Sequence, residues 1–203
     1  MTDVDLYLDP VCPFSWVTSR WLLDAAGAAG TPVTLRQMSL AVLNEGQELE
    51  GKKQQMMERS RRLGRLFAAV VAKHGQDAFA RLYGALGTRL QVRDDELDGD
   101  ALRALLAACG LEESLSEAFG DASLDDEVAD SHRASQAALG GPGGSPIIVV
   151  DGRGFHGPVL TRIPRHEAGV RLLDAILVAA KTPEFATLQR PTQGPPVLEE
   201  SPR

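Results

Sequence analysis

A short apolar run, Val4-Asp5-Leu6-Tyr7-Leu8-Asp9-Pro10, stops directly before Cys12-Pro13-Phe14-Ser15. Beyond it Phe14, Val17, Trp21 and Ala25 recur at helical spacing. The change of period predicts a strand over residues 3–9 and a helix from about Pro13 to Ala29. Pro13 suits the first helical turn, where its missing N–H removes no bond. Cys12 therefore stands at a strand-to-helix joint. A helix N-terminus presents unpaired N–H groups and a partial positive charge, which favour the thiolate. Such sites bring a cysteine pKa well below the free value of about 8.5. Cys12 is the candidate nucleophile, against the plain alternative that a lone cysteine is a small buried hydrophobe.

The rest of the chain reads as a split α/β domain. Gly30-Thr31-Pro32 ends the first helix, and Val33-Thr34-Leu35-Arg36 alternates as a half-buried strand. A β-helix-β unit of this length implies parallel strands joined by a right-handed crossover. From about Gln47 to Leu139 strand signals vanish. Leu63, Leu66, Phe67, Val70 and Val71 mark one amphipathic helix, and Phe79, Leu82, Tyr83, Leu86 and Leu90 a second. Leu102, Leu105, Leu106 and Cys109 mark a third, stopped by Gly110, with Cys109 read as a core residue. A further helix is expected from about Asp125 to Leu139. Strand signals return at Ile147-Ile148-Val149-Val150, Asp151-Gly152 is a hairpin turn, and Gly154-Phe155-His156-Gly157 is its partner strand. Pro164 fits the first turn of a last helix whose inner face is Leu172, Leu173, Ile176, Leu177 and Ala180. The expected organisation is residues 1–46 and 140–181 in one α/β domain, 47–139 as a helical insertion, and 182–203 as a Pro-rich tail draped on the surface or disordered.

Composition excludes several classes. A net charge of −7 argues against nucleic acid or anionic membrane as partners. No apolar stretch reaches the roughly 18 residues of a spanning helix, and Asp3 and Asp5 are unlike a secretory signal. Two distant cysteines, Cys12 and Cys109, make no disulfide framework, so a reducing cytoplasm is expected. His74, His132, His156 and His166 lack metal-ligand spacing with each other or with the cysteines, so no metal site is expected. Gly140-Gly141-Pro142-Gly143-Gly144 lacks the lysine of a phosphate loop and reads as an approach to Ser145. Arg59, Arg61, Arg62 and Arg65 read as a solvated helix face that a carboxylate-bearing thiol could also use.

Several stretches carry a family resemblance. They are Asp9-Pro10-Val11-Cys12-Pro13 with Trp16-Val17-Thr18-Ser19-Arg20-Trp21, Met38 to Glu45, Gly144-Ser145-Pro146, and Phe155 to Pro164. With the order of elements, they make the chain resemble the thioredoxin fold carrying a DsbA-type all-helical insertion. Within that superfamily it resembles the actinobacterial mycothiol-dependent nitroreductase branch. The resemblance implies a low-molecular-weight thiol such as mycothiol as co-substrate, with no tightly bound cofactor. It also implies a cis Pro146 that sets the Ser145 backbone beside Cys12, where it would pair with a bound peptide-like thiol.

One departure shapes the expected chemistry. Relatives with the full motif resemble Cys-Pro-Trp-Cys, whereas this chain has Phe14 and Ser15. Ser15 closes no disulfide, but its hydroxyl can donate to the Cys12 thiolate. Cys12 and Ser15 are the expected catalytic pair, in monothiol exchange released by a second thiol molecule. Pro13, Phe14, Ser145, Pro146, Asn44 and Trp16 are the expected thiol- or substrate-binding residues, although Asn44 suits a turn and Trp16 and Trp21 suit the core. The acceptor would be a mixed disulfide or an electrophilic or nitro compound, and the protein a monomer or homodimer. Two other readings stay open. One is an enzyme similar to kappa-class glutathione transferases or 2-hydroxychromene-2-carboxylate isomerases, in which the bound thiol does the chemistry. The other is a non-catalytic relative that binds a thiol or a partner.

Overall fold

The structure, a computed structural model, describes residues 2–93, 97–191 and 194–198. Strand β1 (Val4–Leu8) alternates buried and half-buried residues, with Val4, Leu6 and Leu8 turned into the core. Helix α1 (Pro13–Ala29) follows, with Pro13 at its start, and ends at Gly30 in the left-handed conformation (φ 65°), whose N–H reaches the Ala26 and Gly27 carbonyls. Strand β2 (Val33–Gln37) pairs parallel with β1, as the β-helix-β spacing predicts. Strand β3 (Ile147–Val150) pairs antiparallel with the other edge of β1, and β4 (Arg153–His156) closes the sheet in the order β2-β1-β3-β4. Asp151 (φ 49°) and Gly152 (φ 81°) both take positive φ, the geometry a two-residue hairpin turn demands.

The chain between β2 and β3 carries helices and no strand among the described residues. Four-residue α2 (Leu40–Leu43) was not legible in the sequence; Ser39 caps it by accepting the Val42 N–H. Helix α3 (Gly51–Gly87) is interrupted at Gly75 (φ 77°, ψ −174°). The two expected amphipathic helices lie on either side of that break, and residues Thr88–Arg93 continue as a π-helical turn. Helix α4 (Gly99–Ala108) is capped by the Asp98 carboxylate at 2.7 Å from the Ala101 N, and Cys109 is its C-cap. Two 3-10 segments, Glu113–Gly120 and Ala122–Leu124, fall where no expectation was drawn. Helix α5 (Asp125–Leu139) has the predicted bounds, with Asp125, Asp126 and Glu127 in the first turn, where the helix dipole favours them.

The last helix differs from expectation. Helix α6 spans His166–Lys181, so Pro164 stands two residues before it and not in its first turn. The Pro164 carbonyl instead lies against Gly169, where a side chain would collide with it. Gly169 also gives its carbonyl to Trp21 Nε1 at 3.0 Å, tying α6 to α1. Leu173 and Ala180 are buried, while Leu172, Ile176 and Leu177 are partly buried against the core. The described part of the tail has no helix or strand, yet it is attached. Val197 N donates to Thr161 O at 2.8 Å, the Phe185 and Phe155 rings are 6.1 Å apart, and Leu198 packs against the core. Residues 192–193 and 199–203 of that expectation lie outside the described residues.

One continuous core joins sheet and helices: Leu6, Leu8 and Ile148 meet Trp21, Leu63, Phe67, Phe79, Leu82 and Leu106. Trp16 sits at the junction of α1 with the second half of α3. Its ring is 5.9 Å from that of Tyr83 and lies directly over Gly87, where any Cβ would collide with the indole. Gly87→Ala should therefore cost about 1–3 kcal/mol through overpacking. Chemical denaturation would show it as a lower midpoint with an unchanged slope.

Candidate active site

Cys12 is the N-cap of α1, with extended φ and ψ (−78°, 114°). Its carbonyl accepts from Trp16 N at 3.2 Å and its own N–H returns to Asp9 O at 3.1 Å, so the turn holding the sulfur is fixed from both sides. The Ser145–Pro146 bond is cis, as the resemblance implied, and a second cis bond joins Gly157 to Pro158. The loop before β3 lies against the helix start: Cys12 Sγ donates to Ser145 O at 3.3 Å. Ser15, one turn into α1, has its Oγ 2.5 Å from Ser145 Oγ, and Ser145 Oγ accepts the Asp9 N–H at 2.8 Å. Thr18, one turn further, donates to Pro158 O at 2.7 Å and fastens the second cis loop to the same helix. The fold thus brings Cys12, Ser15, Ser145 and Pro146 together, with Pro13 and Phe14 half-buried beside them.

Asp9 ends the β1 run and begins one of the stretches that carry the resemblance, and the structure makes it central. It is fully buried. Its Oδ1 accepts from Val11 N at 2.9 Å, and its Oδ2 accepts from Leu40 N at 2.6 Å and Ser60 Oγ at 2.5 Å. One carboxylate thereby joins the Cys12 turn to the start of α2 and to α3. The available signal was an acidic residue ending an apolar strand, a position that needs partners when both faces are covered.

The electrostatics correct one expectation. Cys12 is only 6% exposed, and burial pushes its thiol above the ordinary range. The Ser15 side chain and the N–H groups of Ser15 and Phe14 act downward, while the Asp9 charge adds to the rise. The helix start does present donors, but covering the sulfur outweighs them, so the free site holds a thiol. Burial also pushes the Asp9 carboxyl up against the pull of its three donors. Tyr83, fully buried on α3 and within electrostatic reach of Cys12 and Asp9, is held neutral by burial, with the Ser19 hydroxyl opposing.

Two expected binding residues have other contacts. Trp16 is 5% exposed and committed to packing, in line with its core reading. Asn44 is the C-cap of α2 and donates to Leu40 O at 2.8 Å. It lines a cleft of about 570 Å³ with Glu45, Gln54, Glu58, Arg61 and Arg62, whose lining does not include Cys12, Ser15 or Ser145. Three members of the basic run engage neighbours: Arg65 makes a two-pronged bond to Asp125 on α5, Arg62 lies 4.2 Å over the Phe119 ring, and Arg61 is 3.8 Å from Glu45. Cys109 is half-buried and unpaired, packed against the core as expected. No group of three or more His, Cys, Asp or Glu among the described residues could hold a metal ion, and no helix among them is long and apolar enough to cross a membrane.

The raised Asp9 value has a testable sign. Above the ordinary 3.8 the folded state keeps the Asp9 proton more tightly than the unfolded chain, so stability falls as pH rises through the raised value. Asp9→Asn removes the charge while keeping one acceptor oxygen. Denaturation between acid and neutral pH should lose that downward slope. The Cys12 thiol should also ionise at lower pH in this variant, as read by its rate of alkylation.

Comparison with known proteins agrees with this geometry. A probable DsbA oxidoreductase of Streptomyces coelicolor, SCO1869, is 20% identical, with 94% of each chain covered and a TM-score of 0.59. The cytosolic disulfide reductase DsbM of Pseudomonas aeruginosa, solved with GSH, is 18% identical over 87% of this chain and 99% of its own, with a TM-score of 0.58. Both show the DsbA-like thioredoxin fold. The Mycobacterium tuberculosis protein named "Uncharacterized protein Rv2286c" is 31% identical over 196 residues, 94% of this chain and 83% of its own. The family model described as "Mycothiol-dependent nitroreductase Rv2466c" matches residues 11–190, and the chain belongs to this Rv2466c-like family.

Proposed function

We propose that the protein is a cytoplasmic thiol oxidoreductase that works through a single nucleophilic sulfur, Cys12, with a low-molecular-weight thiol such as mycothiol as reductant. The observation that carries this reading is Cys12 Sγ at the start of α1, 3.3 Å from the carbonyl that precedes cis Pro146, with the Ser15 hydroxyl in the place of a second cysteine. Cys109, the other cysteine, is the C-cap of α4 and has no part in the cluster around Cys12.

In this reading Cys12 loses its proton and attacks a disulfide R–S–S–R′. The Cys12–S–R bond forms, R′S⁻ leaves, and a thiol molecule then attacks the mixed disulfide and returns Cys12 as thiolate. Ser15 cannot supply the second attack, so each turnover needs an external thiol at that step. For a nitro acceptor, two thiols give two electrons and two protons, and the products are one disulfide, a nitroso compound and water. The Ser145 carbonyl, exchanged from the Cys12 thiol to a bound thiol's backbone amide, would orient the incoming molecule.

The buried, protonated state of Cys12 favours one second reading, in which a bound thiol does the chemistry and the protein sulfur is a spectator. One experiment separates the two. Cys12→Ser and Cys109→Ala proteins are assayed for mycothiol-dependent disulfide and nitro reduction, and intact mass is read after exposure to mycothiol disulfide. Monothiol exchange predicts loss of activity to background and of the mycothiol adduct in Cys12→Ser, with Cys109→Ala unaffected. Activity retained in Cys12→Ser would overturn the proposal in favour of the spectator reading.

A further inference from the structure

The polar groups beside Cys12 form a chain in which the order of hydrogens is largely dictated. The Asp9 N–H can only donate, and it reaches Ser145 Oγ at 2.8 Å. That leaves Ser145 one hydrogen to place. Ser15 Oγ, 2.5 Å away, is its other hydrogen-bond partner among the described residues. The Cys12 thiol gives its own hydrogen to the Ser145 carbonyl. Once the sulfur ionises that bond is gone, and a sulfur anion facing a carbonyl oxygen needs a donor in its place. Ser15, three residues along α1 and fully buried, is the side chain whose hydrogen bond acts on the Cys12 sulfur.

We propose that Ser145 is a positioning residue for this reaction: its hydroxyl, pinned by the Asp9 N–H, donates to Ser15 Oγ and so turns the Ser15 hydrogen onto the ionised Cys12 sulfur. The Ser145–Ser15 contact already stands at 2.5 Å, so the step is a rotation of hydroxyl hydrogens. The relay neither gains nor loses a proton; the one released by Cys12 leaves to water or to the departing thiolate. Each donor polarises the next, and such chains strengthen by roughly 10–30% per bond. Ser15 is fully buried and Ser145 only 9% exposed, which limits competition from bulk water. The inference rests on reading Cys12 as the reacting thiol, but not on which thiol or acceptor it serves.

Other groups around the sulfur stay constant in the test. Asp9 at the end of β1 opposes ionisation, and Tyr83 of α3 is neutral, with Arg20 of α1 within electrostatic reach of it. The experiment is a double-mutant cycle in a Cys109→Ala background. The thiolate ultraviolet absorbance is followed against pH, with the matching Cys12→Ala protein subtracted. Ser145→Ala should raise the Cys12 midpoint by roughly 0.3–0.5 pH unit. Ser145→Thr, which keeps the hydroxyl, should restore it, and Ser145→Ala should add nothing once Ser15 is alanine.

A shift of equal size in the Ser15 and Ser15→Ala backgrounds would overturn the relay, since Ser145 would then act through packing or the Asp9 amide alone. A downward shift would overturn it too, because Ser145 would be competing for the Ser15 hydrogen. Unfolding midpoints identify any variant that fails to fold, and Ser145→Gly then serves in place of Ser145→Ala. The titration reads Cys12 directly. A protein that shows the relay but no thiol-dependent turnover fails the functional proposal alone.

Discussion

The buried Asp9 carboxylate is the contact on which the site is built. It ends the central strand β1 and accepts hydrogen bonds from the turn that carries Cys12, from the start of α2 and from Ser60 on α3. Through its own N–H it also holds Ser145, and with it the loop that begins β3. Three segments far apart in sequence are therefore indexed to one residue. A buried carboxylate is tolerated only when its lone pairs are satisfied, so the geometry around Cys12 is over-determined by the need to satisfy Asp9.

That arrangement has a chemical consequence. Desolvation above all, with a smaller contribution from the Asp9 charge, opposes ionisation of Cys12, while the Ser15 side chain and the first amides of α1 favour it. The balance in the free site lies with the thiol. A reaction there needs an event that shifts it, such as a bound thiol that displaces the Cys12–Ser145 hydrogen bond or supplies a further donor. A disulfide partner for Cys12 must also come from outside the motif, because Ser15 carries oxygen and cannot form one.

Much of the fold could be read along the chain. Helix α1 has the bounds its spacing and the Gly30 stop predict, and helix α5 has the expected bounds and ends at Gly140 in the left-handed conformation. The hairpin at Asp151-Gly152 was equally plain, because few dipeptides tolerate two positive φ values. Short α2 and the 3-10 segments at 113–124 have too few turns to establish a period, and they were missed. Pro164 was misplaced because a proline compatible with a helix start is also compatible with the extended chain before one. Within the site, Cys12, Ser15, Ser145 and Pro146 were named from motif and resemblance, and the structure brings them together. Asn44 caps α2 and lines a cleft whose lining does not include Cys12, and which loops converge on a site is a long-range property that leaves no mark on local sequence.

The sequence by itself determined the elements and the chemistry on offer. Period, turn residues and glycine stops are local properties, and a serine in the fourth position of the motif excludes an internal disulfide whatever the fold. Tertiary structure alone decided how reactive that chemistry is. The ionisation of Cys12 depends on how completely the sulfur is covered, on the Ser15 hydroxyl and the first amides of α1, and on the Asp9 carboxylate that ends β1. Desolvation and hydrogen-bond direction are properties of assembled surfaces, so no window of residues around Cys12 contains them.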